Sequence, residues 1–231
     1  MPRVDPHSYF DSDQPRTRHL DLDLAVDFDR QRVAGQVTLV LEKPSSGPLD
    51  LDTKGLVIAS VRTDGGRPIS YDTFPEEPIL GSRMRLTLPA GTAQVVIAYE
   101  TGPDAIGLQW LAPEQTAGRR HPFMFTQFQP IHARTMVPCQ DSPAARVTYD
   151  AAITVPEALA AVMSAGPLGD PVGSEAGMRT LRFAMPQAIP ALWRRMNIGR
   201  SWQQPASRAS MSNPPGSFAP RMRCRFCWIK A

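Results

Sequence analysis

Apolar and polar residues alternate in "HLDLDLAVDFD", residues 19–29, with Leu20, Leu22, Leu24, Val26 and Phe28 on one face and mostly acids on the other. Successive strand side chains point to opposite faces, so this spacing predicts a strand with one buried and one wet face. "RVAGQVTLVLE" follows after a short polar turn and predicts its antiparallel partner. "GPLDLDTKGLVIASVRTDGG" predicts two more short strands, and "RMRLTLPA" with "AQVVIAYE" predicts another pair. The pieces "KPSSGP", "TDGGRP" and "LPAGT" are rich in Gly and Pro and are expected as the turns between them. "RVTYDAAITVP" (146–156) and "GMRTLRFAMP" (177–186) alternate again, while "VPEALAAVMSA" (155–165) is expected to form one or two helical turns. Strands at this spacing predict an all-β domain, an antiparallel sheet or sandwich, over residues 1–190.

Residues 191–231 sustain neither the strand nor the helix period, yet hold three of the four tryptophans and two of the three cysteines. Charge shifts at nearly the same place. The last acid is Glu175 and ten Lys/Arg follow it, so the net +3 divides into −7 up to that residue and +10 beyond it. The segment is expected to be an irregular basic tail, either disordered or a coding sequence read in the wrong frame. Its Cys224-Arg-Phe-Cys227 lacks both the strand-to-helix setting of a redox motif and the second ligand pair of a zinc site, and is read as accidental. The Arg/Trp mixture has no accompanying nucleic-acid-binding fold, so nucleic acid is not expected as a partner.

Composition narrows the class further. An apolar share of 42% in 231 residues supports a proper core, and 24 prolines with 16 glycines favour turns over long helices. No basic start precedes an apolar run, and no window approaches the length of a membrane span. Three cysteines are too few for a disulfide framework. Together these point to a soluble, cytoplasmic protein with no membrane partner.

Chemistry-bearing side chains crowd into "FTQFQPIHARTMVPCQDSP", residues 125–143. On the residues alone, Gln127 and Gln129 read as a pair of satisfied loop amides rather than as ligand contacts. Arg134 and Asp141 are expected to form an ion pair that fixes the loop. His132 is expected to pack and hydrogen-bond rather than act as a base, and Cys139 to be a small buried hydrophobe. The four histidines, His7, His19, His121 and His132, include no pair at helical spacing, and no glutamate lies beyond residue 175. No catalytic residue and no metal ligand is therefore assigned.

The run from Gly107 to Ala165 carries Gln-x-Gln-x-x-His-x-Arg, then Pro-Cys-Gln-Asp-x-Pro, then Thr-Tyr. In this it resembles the N-terminal domain of the zinc aminopeptidases of peptidase family M1, in their leukotriene A-4 hydrolase and aminopeptidase B branch. The resemblance fades near "MPQAIPA". It implies a saddle-like β domain, followed in intact members by a zinc-containing catalytic domain and a helical domain. There a His-Glu-x-x-His helix holds the metal and its glutamate activates the bound water. This chain has no such motif, so the resemblance implies Zn2+ in intact members and no cofactor bound here.

By the same resemblance Gln127, Phe128 and Gln129 bind the N-terminal end of a peptide substrate, while His132, Arg134 and Asp141 support the loop. A glutamine amide suits the first task because it both donates and accepts without adding charge. Pro130 departs from the small residue the pattern leads one to expect, and it removes a backbone donor. The expected function is substrate anchoring in a zinc aminopeptidase, in a fragment interrupted near residue 190 and inactive alone. The missing catalytic domain would cover one face and leave apolar surface behind. The alternative is a stand-alone β module that binds a peptide or protein partner.

Overall fold

The structure is a computed structural model that describes residues 5–174, 177–191 and 195–199. Thirteen strands are found among them. The first seven are β1 (Thr17–Asp27), β2 (Arg32–Thr53), β3 (Leu56–Thr63), β4 (Tyr71–Thr73), β5 (Ser82–Thr101), β6 (Leu108–Leu111) and β7 (Phe123–Thr126). The rest are β8 (Arg146–Pro156), β9 (Ala160–Met163), β10 (Gly166–Pro167), β11 (Val172–Ser174), β12 (Met178–Pro190) and β13 (Met196–Gly199). The helical elements bounded wholly by described residues are two 3-10 turns, Pro113–Gln115 and Ala133–Thr135. No helix among the described residues is long and apolar enough to cross a membrane. Residues 200–231, with Cys224 and Cys227, lie outside the described residues.

One nine-stranded sheet runs in the order β10-β12-β8-β1-β2-β5-β3, with β11 on β12 and β4 on β5. A four-stranded sheet follows the order β6-β7-β13-β9. The expected all-β class holds, and the alternation in β1 is realised as written, with Leu20, Leu22, Leu24 and Val26 all buried. These residues join Val37, Leu39, Met84, Ile97, Tyr149 and Ile153 in one core. At the centre of the sheet, Gly35 has φ +151°, and a Cβ there would lie 2.0 Å from the Asp23 carbonyl oxygen of β1. Only glycine tolerates both the backbone and the approach.

Four expectations change. The segments around "KPSSGP" and "LPAGT" do not end strands. Each is an irregularity inside a long strand, β2 or β5, and the two face one another with Ser45 opposite Thr92 and Gly47 opposite Leu88. Two bent strands that remain hydrogen-bonded through a bulge satisfy more backbone groups than two separate hairpins would. The helical turns expected over residues 155–165 are instead the end of β8, a turn and β9. Leu159, Ala161 and Met163 are buried while Val162 is 60% exposed, a period of two rather than 3.6. The sheet is also not wholly antiparallel, because β1 and β8 run parallel from His19–Thr148 to Ala25–Thr154. Finally, the folded domain passes the expected boundary at residue 190. β13 pairs with β7 and β9, with Met196 and Ile198 at 1% and 0% exposure.

The N-terminal stretch before β1 is tied across the sheet by polar clasps. Asp50 accepts two bonds of 2.6 Å from Arg85 and one of 3.0 Å from Gln14. Burial works against its charge, but these bonds and the Arg85 and Arg83 charges outweigh it and hold the carboxyl below its ordinary value.

The core sets the scale of stability. Replacing Ile97, fully buried in β5, with alanine should lower unfolding free energy by roughly 2–5 kcal/mol. Val162→Ala at an exposed edge position should change it by less than about 0.5 kcal/mol. Urea melts of the two variants measure both, and comparable losses would contradict the burial assigned to β5.

Candidate functional site

The chemically loaded stretch leaves the small sheet at the end of β7 and runs back across β2. The Gln127 backbone N–H donates to the Gly107 carbonyl at 2.9 Å, and the Gly107 N–H donates to Thr135 Oγ1 at 3.1 Å. A Cβ at residue 107 would meet that hydroxyl at 2.5 Å and the His132 carbonyl at 2.8 Å, so glycine permits the close crossing. Beyond it the chain continues to alternate. Gln127 and Gln129 are exposed, whereas Phe128 between them is 5% exposed and packs in the core. Neither glutamine side chain makes a hydrogen bond within the described residues. The Gln129–Pro130 peptide is cis, and the His132 N–H donates to the Phe128 carbonyl at 2.8 Å, closing a tight corner.

The corner is held from beneath by Arg134, whose side chain has no exposed surface. Its Nε donates to Asp141 Oδ2 at 3.1 Å, its Nη1 to the Leu80 carbonyl at 2.6 Å, and its Nη2 to the carbonyls of His7 (2.8 Å) and Asp141 (3.3 Å). Nη1 also lies 3.4 Å from Asp52 Oδ1, and Asp52 is equally buried. Asp52 in turn accepts from Ser8 Oγ (2.6 Å), the Tyr9 N–H (2.8 Å) and the Asp141 N–H (2.8 Å). Burial pushes the Asp52 carboxyl above its ordinary value; the Arg134 charge and these three donors pull the other way. Two carboxylates around one guanidinium are charge-rich for a dry site, and only this density of hydrogen bonds makes it tenable.

Arg134 and Asp141 are thus in direct contact, and His132 sits half-buried above them. Burial lowers the His132 pKa, reinforced by Lys54 and Arg134 and opposed by Asp141. Cys139 is a buried cysteine whose backbone pairs with that of Asp52. Sequence reasoning missed Asp52, Ser8 and Tyr9. In "LDLDT" the alternation alone gives the aspartates no sign of burial, but all of residues 49–53 are buried because β2 is covered on both faces there.

Beside Gln129 the surface forms a depression of about 530 Å3 lined by Asp5, His7, Gln129, Pro130, Ile131 and Pro143. Asp5 is anchored by Ser142 Oγ at 2.7 Å and the His7 N–H at 2.9 Å. Ile131 packs behind it on Tyr9 and Leu80. The result is an apolar floor with a carboxylate, an imidazole and an amide at its edge, on a corner that the Arg134 network makes rigid. Such a site can bind and orient, but it contains no nucleophile paired with a base.

The residues do not suit a peptidase zinc. Among the described residues, one trio of potential ligands brings its atoms within 4.8 Å of one another: His19, Asp21 and Asp150. It has a single histidine, whose two ring nitrogens already meet Thr148 Oγ1 at 2.6 Å and Asp21 Oδ1 at 3.1 Å.

Comparison with known proteins gives the class. The model of the peptidase M1 N-terminal domain matches residues 16–192, and the chain belongs to that family. A leukotriene A-4 hydrolase homolog from Botryotinia fuckeliana is 35% identical over 199 residues, covering 82% of this chain and 31% of the relative. Leukotriene A-4 hydrolase from Xenopus laevis is 33% identical over 198 residues, covering 81% and 32%. Yeast LTA4 hydrolase in complex with bestatin superposes with a TM-score of 0.76 at 29% identity, covering 86% of this chain and 31% of that one. An M1 zinc metallopeptidase from Deinococcus radiodurans bound to a Tyr-Ser-Ala substrate shares the fold, with a TM-score of 0.63 at 20% identity over 80% and 42% of the chains. The chain spans about a third of the length of the curated relatives it matches.

Two outcomes test the corner. Arg134→Met leaves two buried carboxylates uncompensated and should cost roughly 3–5 kcal/mol in urea melts; a loss below about 1 kcal/mol would refute its central role. His132 has a folded-state pKa below its ordinary 6.5. The unfolded chain therefore binds the proton more readily, so this contribution to stability is complete above pH 6.5 and declines as pH falls through it. Unfolding midpoints of His132→Gln should be flatter than wild type below that pH, and parallel curves would contradict the shift.

Proposed function

We propose that this chain is the substrate-anchoring domain of a zinc aminopeptidase, with Gln127 and Gln129 meeting the N-terminal end of a bound peptide. The observation that carries the reading is a pair of uncommitted, exposed amides beside an apolar depression, on a corner locked by the buried Arg134–Asp52–Asp141 network. A rigid support removes the cost of ordering the loop on binding, and amides pair with peptide groups without the desolvation cost of a charge. Phe128 acts through packing, holding the two glutamines on the same side of the chain.

The chemistry of hydrolysis belongs to a zinc-bearing domain of the kind the family carries. When bound there, the metal supplies an activated water. This chain's residues contribute orientation only: they hold the peptide end and present no proton donor or acceptor to the scissile bond. The zinc-bearing domain would cover the face of the corner on which Gln127 and Gln129 lie.

Titration of the purified chain with Tyr-Ser-Ala, followed by amide resonances, should perturb Gln127 and Gln129 at millimolar peptide. Each Gln→Ala change should weaken binding by roughly two- to tenfold, the worth of one hydrogen bond. The same chain should release no amino acid from the peptide. Stoichiometric zinc uptake with hydrolysis of aminoacyl amides would sink the proposal, as would peptide-induced shifts confined to other surfaces.

A further inference from the structure

The depression beside Gln129 holds a shielded carboxylate without a permanent counter-ion. Asp5 lines the depression with a side chain only 15% exposed. Its Oδ1 accepts from the His7 N–H at 2.9 Å and its Oδ2 from Ser142 Oγ at 2.7 Å. Both donors are neutral, and a carboxylate oxygen has two acceptor sites, so one remains on each. Among the described residues its only ionic contact is the His7 imidazole, whose Nδ1 lies 3.7 Å from Oδ1 and which is a cation only when protonated.

The chain treats its other shielded carboxylates differently. Buried Asp50 lies 2.6 Å from Arg85, and buried Asp52 and Asp141 share Arg134. Glu100, at 28% exposure, meets both Arg30 and Arg32. Each of these acids has a guanidinium. Asp5 is better shielded than Glu100 and has none among the described residues. Drawing a carboxylate out of water without a cation is costly, and a ligand that brings the cation recovers that cost.

The rest of the lining says which cation fits. Pro130, Ile131 and Pro143 make the floor apolar, and Ile131 is backed by Tyr9 and Leu80. A hydrated metal ion gains nothing from such a floor. Lysine and arginine carry a methylene stem below the charge and lay it on apolar surface. The volume of about 530 Å3 accommodates a side chain of that length. Gln129 lines the depression and Gln127 does not. An extended chain rises about 3.3 Å per residue, so amides two residues apart span the first residue or two of a bound peptide. A side chain that reaches Asp5 then comes from beyond the N-terminal residue.

We propose that the depression is a subsite for a lysine or arginine side chain at the second position of the bound peptide, with Asp5 as the residue that selects it. This role presupposes the peptide contacts of Gln127 and Gln129. Ser142 and the His7 backbone hold the carboxylate in place, the floor carries the stem, and an acidic side chain is repelled.

Amide-resonance titrations of the full 231-residue chain with Tyr-Lys-Ala, Tyr-norleucine-Ala and Tyr-Ser-Ala test the subsite without any variant. Norleucine keeps the stem and omits the charge. Tyr-Lys-Ala should bind about tenfold tighter than the norleucine peptide, the worth of a hydrogen bond to a charged group, and should shift the amides of His7 and Ser142. Asp5→Asn keeps an acceptor and removes the charge, so it should bring the two peptides to equal affinity. Equal affinities on the wild-type chain, a lysine preference that survives Asp5→Asn, or a gain found with Lys-Ser-Ala in place of Tyr-Lys-Ala would each overturn the proposal. If Tyr-Ser-Ala perturbs neither glutamine, the anchoring role itself fails; if it perturbs both and lysine adds nothing, the basic subsite alone fails.

Discussion

A guanidinium without exposed surface must place all its donors inside the protein. Arg134 does so on groups from three distant parts of the chain, the N-terminal stretch at His7, the end of β2 at Asp52 and the loop at Leu80, and on Asp141 in its own corner. Removing any one of those strands of chain would leave a buried charge or carbonyl unanswered. The folds of the N-terminal stretch and of the 127–143 corner are therefore not independent. Each completes the hydrogen bonding of the other, and the exposed glutamines inherit their placement from a network they do not touch.

Position follows from that constraint. β2 is 22 residues long and carries both the sheet centre and, at its end, the carboxylate that receives Arg134. The long strand thus transmits the register of the large sheet to the corner, while β7, paired with β6 and β13, delivers the chain to it. An edge built between two sheets moves only if one of them shifts register, and the core that would have to repack is fully buried along Val37, Leu39 and Ile97.

Much of this was legible in the chain. The contact between Arg134 and Asp141 could be anticipated from two opposite charges seven residues apart around a turn. Asp52 could not, because its signal is a carboxylate in an alternating strand, and alternation assigns such residues to water. What overrides it is coverage of the second face by residues 8–10 and 139–141, which no pattern within β2 encodes. The same blindness placed the domain boundary at residue 190. β13 is a four-residue strand, too short for its period to stand out.

Alternation by itself determined the all-β class, the bounds of β8 and most of β1 and β12, because partition between core and water acts on each residue of a strand locally. The Gln-x-Gln and Pro-Cys-Gln-Asp motifs determined the family. Only the tertiary structure decided that β1 lies parallel to β8 across more than a hundred residues of chain, that segments expected as separate strands join into the single bent strands β2 and β5, and that Thr17 rather than Arg18 turns inward. Those outcomes depend on which backbone groups find partners and which faces become covered, and both are settled between segments rather than within them.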